Sequence, residues 1–461
     1  MSNDFFQGYK GDALEVLKKY NTRVWGQAVV ETIRGTFTGT VLPRAENDDD
    51  QHIVLKIPTG YNVGVDISTI TSMKETGYKK ANYKIPEKQF PVTPGLPYVK
   101  LFGTGGTIAS RLDYRTGAVI PAFSPGELYG AVPELADICN LDTEKVFAVF
   151  SENMGPMQYK KLAVAIGKEI ENGIDGIVIG HGTDTLHHTG AALTFMVQNS
   201  PVPIVLVGSQ RSSDRPSSDA ALNLMHAMRA AGHSDIAEVM VCMFGPTSDE
   251  YGLLHKGTRV RKMHSSYRST FRTIGATPLA RINRKEIMPI HKEYKHRRKD
   301  RNVTILPYFS DEVTMMYYYP GMKPDTLDAL VDAGYKGVII VGTGLGHVNK
   351  ELYPAIERAH AKGVHMYMTL QTIWGYVHMF VYDTGRDMMA KGIIPAGNML
   401  PEVAWVKLSW ILGQTDDPEE VKRMMLTPIN DEITPREPYN GYLVYQGGVP
   451  EVDDFVRKVH K

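Results

Sequence analysis

From Tyr98 onward the chain repeats one unit, a short apolar run followed by a glycine-rich turn and an amphipathic segment. The runs "YVKLFGTGG", "KVFAVFSEN", "DGIVIGHGTD", "PIVLVGSQR" and "AEVMVCMF" carry almost no polar interruption. Strands buried on both faces have this character, because helices on each side of a parallel sheet shield both faces from water. The alternation therefore predicts an α/β fold with a doubly wound parallel sheet, whose ligands sit beyond the carboxyl ends of the strands. Those ends are Gly103 to Thr107, Ser151 to Met154, Gly180 to Asp184 and Gly208 to Arg211. Ser124-Pro125-Gly126-Glu127 reads as a capping box that starts one of the intervening helices.

The flanking sequence has other textures. Residues 1–75 break into alternating runs such as "WGQAVVETI", "GTFTGTVL" and "QHIVLKI", which predicts a small all-β, barrel-like domain. Residues 76–97 are rich in proline and lysine, carry no apolar period and read as a linker. A large α/β domain then spans 98–285, and a basic stretch, 286–302, contains "HKEYKHRRKDR". That stretch reads as a solvated connection between lobes, with contact to RNA or an acidic partner face as the alternative. Beyond it "NVTILPYF", "GVIIVGTGLG" and "VHMYMTL" resume the alternation and predict a smaller C-terminal lobe over 303–461 that ends in helices.

Charge and cysteine content narrow the function classes. Lys+Arg and Asp+Glu balance at 51 each, which excludes a generally basic nucleic-acid surface. Two cysteines, Cys139 and Cys242, are too few for a disulfide framework or a metal site and point to a reducing, cytoplasmic setting. The start "MSNDFFQGYKGDALEVL" has no basic-then-apolar leader, and no run of 18 apolar residues occurs, so no membrane association is expected.

Two loops carry the chemistry. "KLFGTGGTIASR" is not a dinucleotide fingerprint, because Ile108 stands where the third glycine belongs, and it lacks the spacing of a phosphate-binding P-loop. Instead Gly105-Gly106-Thr107 and "GHGTDT", Gly180 to Thr185, each set a threonine after glycines that let backbone approach a ligand. Gly106 and Gly182 are those close-approach positions. A threonine hydroxyl needs a base or a charged neighbour before it attacks a carbonyl. Asp184, adjacent to Thr183, and a lysine from elsewhere would supply these. The competing structural reading has the threonines bonding backbone at tight turns and Asp184 capping the next helix. His181, His187 and His188 lack the spacing of a metal set.

"TGGTIAS" (Thr104 to Ser110), "HGTDT" (His181 to Thr185) and "GSQRSSDRPSSDAALN" (Gly208 to Asn223) resemble the bacterial-type L-asparaginases, amidohydrolases with a large and a small α/β domain. The resemblance spans about Tyr98 to Leu426. It implies that Thr107 and Thr183 are paired active-site threonines, with Asp184 beside the second. It also implies that Lys262 in "RVRKMHSS" lies near Thr183, and Tyr114 in "RLDYRTG" near Thr107. Ser151 and Glu152 fall where the family binds the α-amino and carboxylate groups of its substrate, although many members carry glutamine at the position of Glu152. Asp383 in "VYDTGRDMM" matches an acidic residue that neighbours the tyrosine and is more usually glutamate.

The β-domain and linker ahead of this body resemble the D subunits of archaeal glutamyl-tRNA(Gln) amidotransferases. That resemblance covers the whole chain and implies hydrolysis of glutamine, or asparagine, to release ammonia. The implied partner is the E subunit of such an amidotransferase, in a heterotetramer of two D and two E chains around a homodimer core. The partner would bind Glu-tRNA(Gln) and activate its glutamate with ATP and magnesium, with no cofactor held by this chain. Two alternatives stay open, a stand-alone cytoplasmic asparaginase or glutaminase and a non-catalytic amino-acid sensor. The sensor predicts loss of Thr107, Thr183, Asp184 or Lys262, and all four are present. Which threonine attacks is left open.

Overall fold

The computed structural model describes residues 3–44, 48–58, 62–78, 92–105, 110–112, 119–121, 132–211, 217–291, 293–438 and 442. The capping box at 124–127 lies outside them.

The N-terminal segment forms an antiparallel sheet of β1 (Gly26–Thr32), β2 (Gly35–Val41), β3 (His52–Lys56), β4 (Asn62–Asp66) and β5 (Ile70–Tyr78), in the order β4-β3-β2-β1-β5. Its burial alternates along β1 as the period of a half-buried strand requires. The segment is not purely β: α1 (Gly11–Lys19) lays Ala13 and Leu17 into the core of this sheet. Asp12 in the first turn and Lys18 and Lys19 in the last complement its dipole.

The central body is an eight-stranded sheet. Five strands run parallel: β6 (Tyr98–Gly103), β7 (Asn140–Lys145), β8 (Gly176–Gly180), β9 (Ile204–Val207) and β10 (Val239–Phe244). Antiparallel β11 (Gly252–Lys256), together with the strands Ala280–Ile282 and Ile287–Pro289, extends it on the β10 side. The sheet is thus doubly wound but mixed, and its last strand falls inside the basic stretch. The parallel part has the order β7-β6-β8-β9-β10, so the chain leaves β6 to one side and returns on the other. A crevice opens at such a switch point, here between the ends of β6 and β8.

One apolar run is not the strand its pattern predicts. The strand is Asn140–Lys145, and the run 146–150 that follows is coil. Val146 and Val149 instead donate their amides to Gly103 O and Thr104 O, folding the segment over the end of β6. "NVTILPYF" likewise contributes only Thr304–Ile305, paired with Val197–Gln198. The smaller sheet begins at Val313–Tyr317, continues through Gly337–Gly342 and His365–Leu370, and ends at Ile393–Pro395, all parallel.

Helices α2 (Pro156–Glu171), α3 (Leu186–Met196) and α4 (Ala220–His233) cover the large sheet. Ten of the eleven residues of α3 are buried, because the helix Pro401–Leu412 of the smaller lobe covers its other side. This packing joins the two lobes in one core. The basic run is not simply solvated. Arg297 donates to Ala231 O and Ser234 O, closing the carboxyl end of α4, and Arg301 donates to Ile174 O and Gly173 O in the turn that follows α2. Exposed carbonyls at helix ends carry partial negative charge, which suits a guanidinium.

Candidate active site

The loop after β8 is held from both sides. The amide of Thr104 and its hydroxyl both donate to Gly180 O, at 3.1 and 2.8 Å, tying the ends of β6 and β8 together. Gly105 sits at φ +105, and a Cβ there would lie 2.4 Å from Val149 O, so only glycine permits this approach. Gly106 and Thr107, the next residues, lie outside the described residues, as does Tyr114.

His181 is fully buried and latches the second loop. Its ring nitrogens contact Gly182 O at 2.6 Å and Thr189 Oγ1 at 2.8 Å, and burial lowers its pKa to about 4. The imidazole is therefore neutral, and it holds Gly182 and Thr183 against α3. Thr185 donates its hydroxyl to Ser151 O at 2.6 Å, fastening the turn Ser151–Asn153 to the same loop. Ser151 is buried there, whereas Glu152 is exposed.

The hairpin Val260–Lys262/Phe271–Thr273 brings the lysine. Lys262 Nζ donates to Thr183 Oγ1 at 2.9 Å and to Asp184 Oδ1 at 2.7 Å. The Lys262 side chain is nearly buried, while that of Asp184 is 68% exposed. Asp184 thus serves the lysine, and the N-cap of α3 is Thr185, without a side-chain capping bond. The groups lie 78 and 79 residues apart in the chain, and no periodicity in the sequence connects them.

The motif around Gly208 supplies the wall behind Thr183. A Cβ on Gly208 would stand 2.8 Å from Thr183 Cγ2 and 2.9 Å from His181 O. Asp219 anchors the loop by accepting the amides of Gln210 and Arg211, and Asn223 Nδ2 donates to Gly208 O and to Asp219. Burial raises the Asp219 pKa, which the two amides oppose. Sequence reasoning reached this motif only as part of a resemblance and gave none of its residues a role.

A cavity of about 270 Å³ adjoins the lysine and is lined by Asp184, His187, Arg261, Lys262 and residues 263–265. Arg261 Nη1 pairs with the buried Glu402 Oε2 at 3.0 Å, on the helix that covers α3. Burial, then the charges of His188, Arg261 and Lys262, hold His187 well below the usual imidazole range, so it adds no cation beside Lys262. Among the described residues no group of three or more acidic, histidine or cysteine side chains could hold a metal.

The structure therefore brings Thr183, Asp184, Lys262, Gly182 and Ser151 to one place. It does not bring Asp383 there: that residue opens the helix Asp383–Ala390 of the smaller lobe, and its carboxylate accepts the Thr384 amide.

Comparisons with known proteins identify the family of the chain. The family profile "Asparaginase, N-terminal" matches residues 98–295, "Glutaminase/Asparaginase C-terminal domain" matches 312–425, and "GatD N-terminal domain" matches 28–74. The D subunit of the glutamyl-tRNA(Gln) amidotransferase of Thermococcus kodakarensis is 47% identical over 89% of this chain and 93% of its own. The corresponding D subunit of Methanothermobacter thermautotrophicus is 46% identical over 93% and 98%. Among solved structures, the thermostable L-asparaginase from Thermococcus kodakarensis superposes with a TM-score of 0.64 at 31% identity, over 73% of this chain and 99% of that one. L-asparaginase I from Vibrio cholerae gives 0.63 at 26%, over 74% and 100%.

Proposed function

The chain belongs to the family of glutamyl-tRNA(Gln) amidotransferase D subunits, and from that premise we propose that Thr183, Lys262 and Asp184 carry out its amide hydrolysis. It is the glutaminase component of the amidotransferase, and the ammonia it releases goes to the partner that amidates Glu-tRNA(Gln). The observation that carries the site assignment is Lys262 Nζ bridging Thr183 Oγ1 and Asp184 Oδ1.

The chemistry runs in two steps. A threonine oxygen attacks the side-chain amide carbon, the C–N bond breaks, and ammonia leaves with the hydroxyl proton, giving an ester. Water then hydrolyses the ester to glutamate and restores the hydroxyl. Lys262, when neutral, accepts the Thr183 proton across the 2.9 Å contact, and Asp184 stabilises the ammonium so formed. The family resemblance gives Thr107 the part of the second active-site threonine and Tyr114 that of its tyrosine. Ser151 and Glu152 hold the α-amino and carboxylate ends of the substrate, with Gly182 allowing close approach and Gly106 given the same part by its place in the sequence motif. For Asp383 the resemblance alone suggests a part in the site, since its carboxylate is engaged with the Thr384 amide at the start of its helix. The boundaries 1–75, 76–97, 98–285, 286–302 and 303–461 divide this chain by task, with the hydrolase in the central and C-terminal parts.

The partner is an E subunit, in a heterotetramer of two D and two E chains on a homodimer core. That partner holds Glu-tRNA(Gln), ATP and magnesium in the cytoplasm, and this chain needs no cofactor of its own. Among the described residues no helix is long and apolar enough to cross a membrane. The test is ammonia release from glutamine by the complex carrying Thr183→Ala or Lys262→Ala. A loss of several orders of magnitude with unchanged melting is expected, and parental turnover in either variant removes that residue from the mechanism.

A further inference from the structure

The match to the asparaginase C-terminal domain ends at residue 425, yet the chain continues in an ordered course through residue 438. Residues 427–437 do not lie free on the surface. They run between the two lobes and are fixed by buried charges and polar groups. Glu432, fully buried, accepts the amides of Ile429 and Asn430 and pairs with Lys407, which is itself fully buried and donates to Met425 O and Thr427 O. Thr434 exchanges hydrogen bonds with Asn398: its amide donates to Asn398 Oδ1, and Asn398 Nδ2 donates to its hydroxyl.

The other face of this strap meets the turn that precedes the lysine strand. Thr258 Oγ1 donates to Asn430 O at 2.6 Å, Arg259 Nη1 donates to Glu432 O at 3.2 Å and to Asn398 O at 2.9 Å, and Lys256 pairs with Asp431. Asp431 holds φ +58, a left-handed conformation that directs its carboxylate within reach of Lys256. Thr258 and Arg259 are buried, and the strand Val260–Lys262 starts at the next residue. The hairpin has only three residues per strand; Val260 and Phe271 anchor it in the core and Arg261 pairs with Glu402, while the strap holds the end at which it starts.

We propose that residues 427–437 are a positioning strap for Lys262: by fixing Thr258 and Arg259, they set Lys262 Nζ against Thr183 and Asp184. None of the strap residues is a catalytic residue; they act through the hairpin. The proposal rests on the assignment of Lys262 to amide hydrolysis. A displacement of about 1 Å at the lysine is enough to cost roughly a hundredfold in rate.

Two full-chain variants in the complex test it. Thr258→Val removes the hydroxyl at constant shape, and Asp431→Asn removes the charge on an exposed residue while tolerating the left-handed backbone. Each should lower kcat for glutamine at least about tenfold with KM changed less than about threefold, and Thr258→Ser should restore the parental rate. The specific readout is labelling of lysines by an amine-selective reagent, located by mass spectrometry. Lys262 should become more reactive in both variants while the buried Lys407 stays protected, a pattern that general loosening of the fold would not give. If Thr258→Val fails to fold, Asp431→Asn carries the test alone. Parental kcat and unchanged Lys262 labelling overturn the strap. If instead Lys262→Ala keeps its activity, the assignment of the lysine fails, while the labelling result still decides whether the strap positions it.

Discussion

Replacing Gly208 by alanine adds one methyl group at the most sensitive point of the site. The Cβ would lie 2.8 Å from Thr183 Cγ2 and 2.9 Å from His181 O, where ordinary contacts begin near 3.4 Å. Thr183 must therefore retreat by about 0.6 Å, or the backbone of its loop must move. The loop cannot easily give, since His181 is held by Gly182 O and Thr189, and Leu186 Cδ1 closes the third side at 3.4 Å. Gly208 is not at a left-handed φ, so the effect is steric and owes nothing to backbone strain. Overpacking of this kind costs about 1–3 kcal/mol of stability. The larger effect falls on catalysis: a shift of that size takes Thr183 Oγ1 off its 2.9 Å alignment with Lys262 and is expected to lower kcat by roughly one to two orders of magnitude. Steady-state ammonia release from glutamine, beside the melting temperature, measures both. If Gly208→Ala keeps parental kcat, the wall behind Thr183 does not set its position and close packing at Gly208 plays no part in aligning the site.

Two further outcomes follow from the same geometry. Thr185→Val frees the Ser151 turn by removing the 2.6 Å bond to Ser151 O, so KM for glutamine should rise about tenfold with a smaller change in kcat, and an unchanged KM would separate that turn from substrate binding. His181, His188 and His226 have folded pKa values pushed down to about 4 by burial, against about 6.5 in the unfolded chain, so the unfolded state takes up protons that the native state refuses as pH falls through that window. Stability is therefore full above about pH 6.5 and drains below it, by about 2 kcal/mol per histidine at pH 5, and thermal melting across about pH 7.5 to 4.5 should fall steeply; a flat profile would show that these rings are not neutral in the fold.

What could be read from the chain alone are the parts of this protein that neighbouring residues settle. Near-continuous apolar runs mark strands covered on both faces, so β6, β8, β9 and β10 were legible, as was the position of Thr183 and Asp184 on a glycine loop at a strand end. Where an apolar run was not a strand, as at 146–150, hydrogen bonds to Gly103 and Thr104 had overridden local preference, and such partners are invisible in a linear pattern. Basic residues at 297 and 301 likewise read as a solvated run, because the helix ends they close lie more than 60 residues away in the chain. It took the folded arrangement to reveal that Lys262 meets Thr183, that Gly208 stands behind it, and that residues 427–437 grip the turn before the lysine. These contacts depend on the order of strands in the sheet and on the packing of one lobe against the other. Periodicity fixes which face of an element is buried, whereas the neighbour that covers it is chosen by the closure of the whole core.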